Sequence, residues 1–233
     1  MKVLSLGYFK ISTYILIIGI AFLFSFIVFY KTSKKNYIKL DIIYIYVINI
    51  VGFAIGSKLM SLISNNIEIT TYNFINSGYS FLGGILCSIL FVALYCKRYK
   101  LDFIDILSNF TVIYPLIYSI SKIGCFLNGC CYGIINNYKF PLPLFDTTIM
   151  LILFLILLTK SNKQKTLVIG MFFSIFGIVR FCEDYFREFR NIIIFNFTLE
   201  QILCVMLIIT SVIINIFRMY KKVNYRYNRA TLK

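Results

Sequence analysis

Apolar residues fall in long unbroken blocks along this chain, not in the two-residue alternation of a half-buried strand. The blocks run roughly over Ser12–Tyr30, Leu40–Ile63, Tyr79–Cys96, Phe103–Ile120, Leu142–Thr159, Thr166–Phe181 and Thr198–Phe217. Most approach the ~20 residues that carry a helix across the hydrocarbon of a bilayer. The block at Thr166 is short and ends in charge. The pattern predicts an all-α polytopic membrane helix bundle of about seven transmembrane helices, forming a single integral membrane domain over residues 1–233. The first block lacks a small-residue cleavage site after its apolar core, so it reads as a retained helix.

Polar breaks between the blocks set an expected orientation. Lys31, Lys34, Lys35 and Lys39 fill the first break, and Ser64–Gly78 has no Lys or Arg. Lys97, Arg98 and Lys100 follow, then a break with only Lys122 and Lys139, then Lys160, Lys163 and Lys165. The tail carries Arg218, Lys221, Lys222, Arg226, Arg229 and Lys233. Basic and poor connections alternate, which predicts an outside N-terminus and a cytoplasmic C-terminus.

Composition agrees. The chain is 60% apolar with a net charge of +15 and no His or Trp, and its mean hydropathy is +0.84. Basic residues between spans explain the charge without nucleic acid. The missing His removes the commonest general base and a frequent metal ligand.

Two stretches break the apolar pattern and carry candidate chemistry. Ser121–Gly133, SKIGCFLNGCCYG, holds three glycines, three of the seven cysteines, Lys122 and Asn128. It is expected to leave helix and line a cavity. Gly177–Arg190 places Arg180, Glu183, Asp184 and Arg187 on one helix face. An arginine flanked by acids there fits a site for phosphate or carboxylate, and equally an interfacial salt-bridge ladder. The two stretches are expected to face each other across one polar pocket, with Asp184 as base or as Arg180's orienter. Lys58, deep in the second block, either snorkels or faces a cavity.

Gly52 and Gly56, and Gly83 and Gly84, are small-residue patches. Close helix packing is the preferred reading for the first pair. Pro115 is expected to kink the fourth block, while Pro141 and Pro143 set a helix start. Cys125, Cys130 and Cys131 offer three thiols with no His and no second pair, short of a usual four-ligand zinc set. No metal and no cofactor are assigned. The thiols read as pocket filler, a redox pair, or, at Cys130, a thiolate activated by a cation.

SKIGCFLNGCCYG resembles the signature of bacterial prolipoprotein diacylglyceryl transferases, Gly-Arg-Ile-Gly-Asn-Phe-x-Asn-Gly-Glu followed by a Tyr-Gly or similar pair. FGIVRFCEDYFR resembles that family's Tyr-Gly-x-x-Arg-Phe-x-x-Glu-Phe-x-Arg. Weaker likenesses follow in order at Thr13–Tyr14, Gly52–Leu59, Ser80–Gly84, Pro141–Asp146 and Leu199–Leu203. The family moves a diacylglyceryl group from phosphatidylglycerol to a lipobox cysteine thiol, releasing glycerol phosphate. The resemblance implies phosphatidylglycerol, a preprolipoprotein lipobox segment or other thiol acceptor, and the lipid bilayer as partners. It implies a multi-pass protein of the bacterial cytoplasmic membrane. By carry-over, Arg180, Lys122 and Asp184 are catalytic, with Tyr14, Lys58, Gly83, Gly84, Gly124, Asn128, Gly129, Cys130, Arg187 and Gln201 at the substrate. Several positions depart from the pattern. Lys122 stands for an arginine, Leu82 for a histidine, Cys125 for an asparagine, Cys130 for a glutamate and Phe176 for a tyrosine. The departures leave two other readings: a lipid-binding relative with altered or lost chemistry, and a thiol-redox membrane protein.

Overall fold

The computed structural model describes residues 3–6, 9–135, 138–161, 164–187, 191–194 and 196–231; Lys163, Arg190 and Lys233 lie outside them. Eight helices appear among the described residues: α1 (Thr13–Ser33), α2 (Lys39–Ser64), α3 (Thr71–Asn76), α4 (Phe81–Tyr99), α5 (Phe103–Leu127), α6 (Leu142–Lys160), α7 (Lys165–Tyr185) and α8 (Leu199–Thr231). All but α3 are long and apolar enough to cross a membrane. The protein is a polytopic helical membrane bundle, as its apolar blocks predict.

The α5 helix is the bundle's axis. It is buried at almost every position from Asp105 to Tyr118 and touches α1, α4, α6 and α7. The outer helices bury one stripe each. In α1 this is Ala21, Ser25, Phe29 and Ser33, four residues apart, while Leu23, Phe24 and Ile27 face outward. Such outward apolar faces suit lipid contact. Three antiparallel hairpins, which the apolar pattern did not predict, precede α1 and join α5 to α6 and α7 to α8: β1 (Val3–Leu6) with β2 (Phe9–Ser12), β3 (Gly133–Ile135) with β4 (Tyr138–Phe140), and β5 (Ile192–Ile194) with β6 (Phe197–Thr198).

Glycines let α2 and α4 cross closely. A Cβ on Gly52 would lie 2.9 Å from the Ser88 Cα, and one on Gly83 would collide with Met60 and lie 2.6 Å from the Gly56 carbonyl oxygen. Gly84 faces the Phe53 ring at 2.7 Å by the same measure. Packing is therefore the role of Gly52 and Gly56, as expected. It also accounts for Gly83 and Gly84, which the resemblance had placed at the substrate.

The signature segment only partly leaves helix. The α5 helix runs on through Pro115 and includes Ser121 to Leu127. It then ends in a Schellman turn: Gly129 takes φ +71°, its N–H donates to the Phe126 carbonyl at 3.1 Å, and the Cys130 N–H donates to the Cys125 carbonyl at 3.0 Å. Gly129 is the residue that permits this left-handed turn.

Candidate functional site

Charge concentrates where α5, α6, α7 and α8 meet. The Arg180 side chain is 6% exposed. Its Nη1 donates to Glu183 Oε2 at 3.0 Å, three residues along the same helix. Its Nη2 donates to Glu200 at the start of α8. The Glu200 carboxylate also accepts from Ser80 Oγ at 3.0 Å and from Arg187 Nη1 at 3.4 Å. Tyr118 OH donates to Glu183 Oε2 at 3.1 Å. One turn beyond Tyr118, Lys122 pairs with Asp146 on α6 and lies 3.8 Å from Glu183. Arg187 lies 3.9 Å from Asp184. One connected network thus holds Lys122, Arg180 and Arg187 against Asp146, Glu183, Asp184 and Glu200. Buried charges persist only when partnered in this way.

The network forms the polar end of a cavity of about 230 Å³. Lys122, Arg180, Arg187, Glu200, Ser80 and Tyr118 line that end. Ile15, Ile18 and Phe22 of α1 and Ile50, Phe53 and Ala54 of α2 form apolar walls. These two helices meet through the Phe22 and Phe53 rings at 5.6 Å and through Tyr46, whose hydroxyl donates to the Phe22 carbonyl at 2.6 Å, while Ile15 on the α1 wall is 55% exposed, so the apolar side opens outward past Ile15. A cavity of this size, with apolar walls and charged donors at one end, suits the anionic end of an amphiphile.

Arg180 and Lys122 therefore share one hollow, linked through Glu183, and Tyr14 and Arg187 line it too. Other expected residues serve the frame. Lys58 donates to the carbonyls of Ile75 at 2.8 Å and Ser77 at 2.6 Å, and its ammonium stacks on the Tyr79 ring at 4.3 Å. It ties α2 to the following loop and lies outside the cavity lining. Gly124 gives α1 close approach to α5, where a Cβ would meet Tyr14 at 3.2 Å. Asn128 accepts from Thr13 Oγ1 at 3.1 Å and donates to the Gly124 carbonyl at 3.1 Å, joining the start of α1 to the end of α5. Gln201 closes a capping box. Its Oε1 accepts from the Thr198 N–H at 3.0 Å, and its own N–H donates to Thr198 Oγ1 at 3.2 Å. None of Gly124, Asn128, Gly129 and Gln201 lines the cavity. Asp184 accepts from Thr198 Oγ1 at 2.6 Å and lines an adjoining hollow of about 180 Å³, shared with Arg187 and Glu200.

The thiols gather beside this network. Cys125, Cys130 and Cys131 have their sulfurs within 4.8 Å of one another, and Cys125 and Cys131 line the cavity. Hydrogen bonding with the Cys125 and Cys130 thiols holds the Cys131 thiol below the usual range, and the cations of Lys122 and Arg187 act in the same sense. The loop is fixed to the end of α7: the Ile134 N–H donates to the Phe186 carbonyl at 2.8 Å, and Gly133 forms a bridge with Arg187.

The family model of prolipoprotein diacylglyceryl transferases matches residues 1–217. The chain belongs to this family. As a diacylglyceryl transferase by family, it is an enzyme. Among its relatives is a phosphatidylglycerol–prolipoprotein diacylglyceryl transferase of Rickettsia rickettsii (strain Sheila Smith), 30% identical over 208 residues and covering 79% of each chain. The Clostridium tetani (strain Massachusetts / E88) protein of the same name is 26% identical over 204 residues, covering 76% of this chain and 81% of that one.

Glu200, with Tyr118 and Asp146, belongs to this network and was given no role from the sequence. Glu200 sits at the start of an apolar span, where a carboxylate is costly. The chain has only nine acidic residues, so an acid in that position is itself a signal.

Proposed function

We propose that the protein transfers a diacylglyceryl group from phosphatidylglycerol to the thiol of a lipobox cysteine, releasing glycerol phosphate. The observation that carries this reading is the outward-opening, apolar-walled cavity with Arg180, Arg187 and Lys122 at its polar end. The acyl chains lie along the apolar walls, and the phosphate meets the guanidinium and ammonium groups. Fixed cations there stabilise the charge that develops on the departing phosphate. Glu183 and Glu200 hold the Arg180 guanidinium in place. Glu200 also competes with phosphate for Arg180 and Arg187, so binding exchanges carboxylate for phosphate on those donors. Asp184 positions Arg187 and is itself held by Thr198. The site end of the bundle faces outward across the bacterial cytoplasmic membrane, which places the basic Lys31–Lys39 connection inside.

The test supplies purified protein in detergent with phosphatidylglycerol and a lipobox peptide. Release of glycerol phosphate together with S-diacylglyceryl peptide is the expected result. Lipid binding without either product would favour a relative that holds lipid without transferring it.

A further inference from the structure

Cys125, Cys130 and Cys131 stand five and one positions apart, and spacing alone leaves them one ligand short of a zinc set. The fold changes their meaning. The Schellman turn brings Cys130 back over the last turn of α5, where its Sγ reaches the Cys125 carbonyl at 3.4 Å. Cys131 then takes φ +63°, a left-handed conformation uncommon for a side-chain-bearing residue. That turn places its Sγ 3.6 Å from the Cys125 Sγ. Sulfurs sharing one tetrahedral zinc at about 2.3 Å lie about 3.8 Å apart. All three cysteines are free thiols. Two of them face the cavity that also holds Lys122 and Arg187.

We propose that Cys125, Cys130 and Cys131 bind a thiophilic divalent cation of the zinc class, whose fourth position opens into the cavity and takes the acceptor thiol. This rests on the transfer reading above. Three protein ligands with one open position mark a catalytic metal arrangement, and a thiol coordinated there is deprotonated. The site therefore supplies what a chain without histidine otherwise lacks. The acceptor thiol gives its proton to water on binding. Its sulfur attacks the glycerol carbon that bears the phosphate, a C–S bond forms and the C–O bond to phosphate breaks. The pair of electrons leaves with glycerol phosphate beside Arg180 and Lys122. The thioether product is neutral and a poor ligand, so it departs.

The test loads chelator-treated, reduced full-length protein in detergent with Co²⁺ and records thiolate-to-metal charge-transfer absorption. One equivalent per chain is expected for wild type and for Cys182→Ser, whose residue lies on the exposed side of α7. Loss of the band is expected in Cys131→Ser. Cys131→His restores a shifted band through an imidazole ligand, which separates lost ligation from lost folding. Adding a lipobox peptide perturbs the band, and its Cys→Ser version does not. Absence of the band, or an equal band in Cys131→Ser, overturns the site. A band blind to the peptide thiol overturns the acceptor position. Transfer by metal-free protein, unaffected by Cys131→Ser, overturns this inference and leaves the transfer reading standing. Metal binding without transfer to the peptide does the reverse.

Discussion

Replacing Arg180 by alanine tests the buried network first as structure and then as chemistry. The guanidinium is hydrogen-bonded to two carboxylates whose side chains are 5% and 11% exposed. Removing one partner of a buried pair costs about 3–5 kcal/mol, because the other charge stays buried and uncompensated. Here each carboxylate keeps some support. Glu183 retains Tyr118 at 3.1 Å and Lys122 at 3.8 Å, and Glu200 retains Ser80 at 3.0 Å and Arg187 at 3.4 Å. The lower end, about 3 kcal/mol, is therefore expected. For a chain of this size that corresponds to a melting shift of about 6–12 °C, at 2–4 °C per kcal/mol. Adding Glu200→Gln removes one of the stranded charges, so the double variant is expected to recover about 1.5 kcal/mol of the loss. Melting of the wild type, both single variants and the double variant in one detergent, read by intrinsic fluorescence, gives the cycle. Transfer should be lost in the double variant despite its recovered stability. A single variant melting with the wild type, or a strictly additive cycle, would refute the coupling of Arg180 to Glu200.

Three further outcomes follow from the same geometry. Glu200→Gln lowers the KM for phosphatidylglycerol, because the amide competes less well than a carboxylate for Arg180 and Arg187; initial rates against lipid concentration in mixed micelles read this. Gly83→Ala destabilises by about 1–3 kcal/mol through overpacking against Met60 and Gly56, whereas Gly124→Ala, with nearest contacts at 3.2 and 3.3 Å, costs less; thermal melts of the two variants rank them. Lys58→Met keeps kcat/KM within about twofold, since its ammonium serves the Ile75 and Ser77 carbonyls and stands outside the cavity; the same micelle assay checks it.

The membrane spans were legible because the hydrocarbon demands long apolar runs, and α1, α2, α6 and α8 begin within about two residues of where those runs start. The end of α5 was not legible. Ser121 and Lys122 look like loop in a linear reading, but α5 stays helical to Leu127 and turns Lys122 into the bundle while Ile123 faces outward. There Asp146 on α6 makes a buried lysine tolerable within continuous helix. Arg180 and Lys122 were legible as chemistry because cations near membrane depth are rare. Glu200 was masked by its place in a capping sequence, where Thr198 and Gln201 explain the local pattern without it. The thiol cluster depends on the backbone angle of Cys131, which residue spacing does not encode.

The charges gathered at the cavity nearly balance. The chain carries +15 overall, yet the cavity network sets three cations against four carboxyls. Its field does not simply attract any anion. The basic excess lies in the connections at the opposite end of the bundle, where Lys165, for example, meets Asp105 at 2.7 Å. At the cavity an anion gains only what it can exchange: the donors of Arg180 and Arg187 released from Glu200, and those of Lys122 shared with Asp146. In the proposed function, a phosphodiester held by its acyl chains along the apolar walls brings its oxygens to those donors with little further ordering cost. A free phosphate must compete with carboxylates already in place. The proposed transfer therefore predicts preference for a lipid over a soluble anion, from the apolar walls and the pre-paired cations acting together.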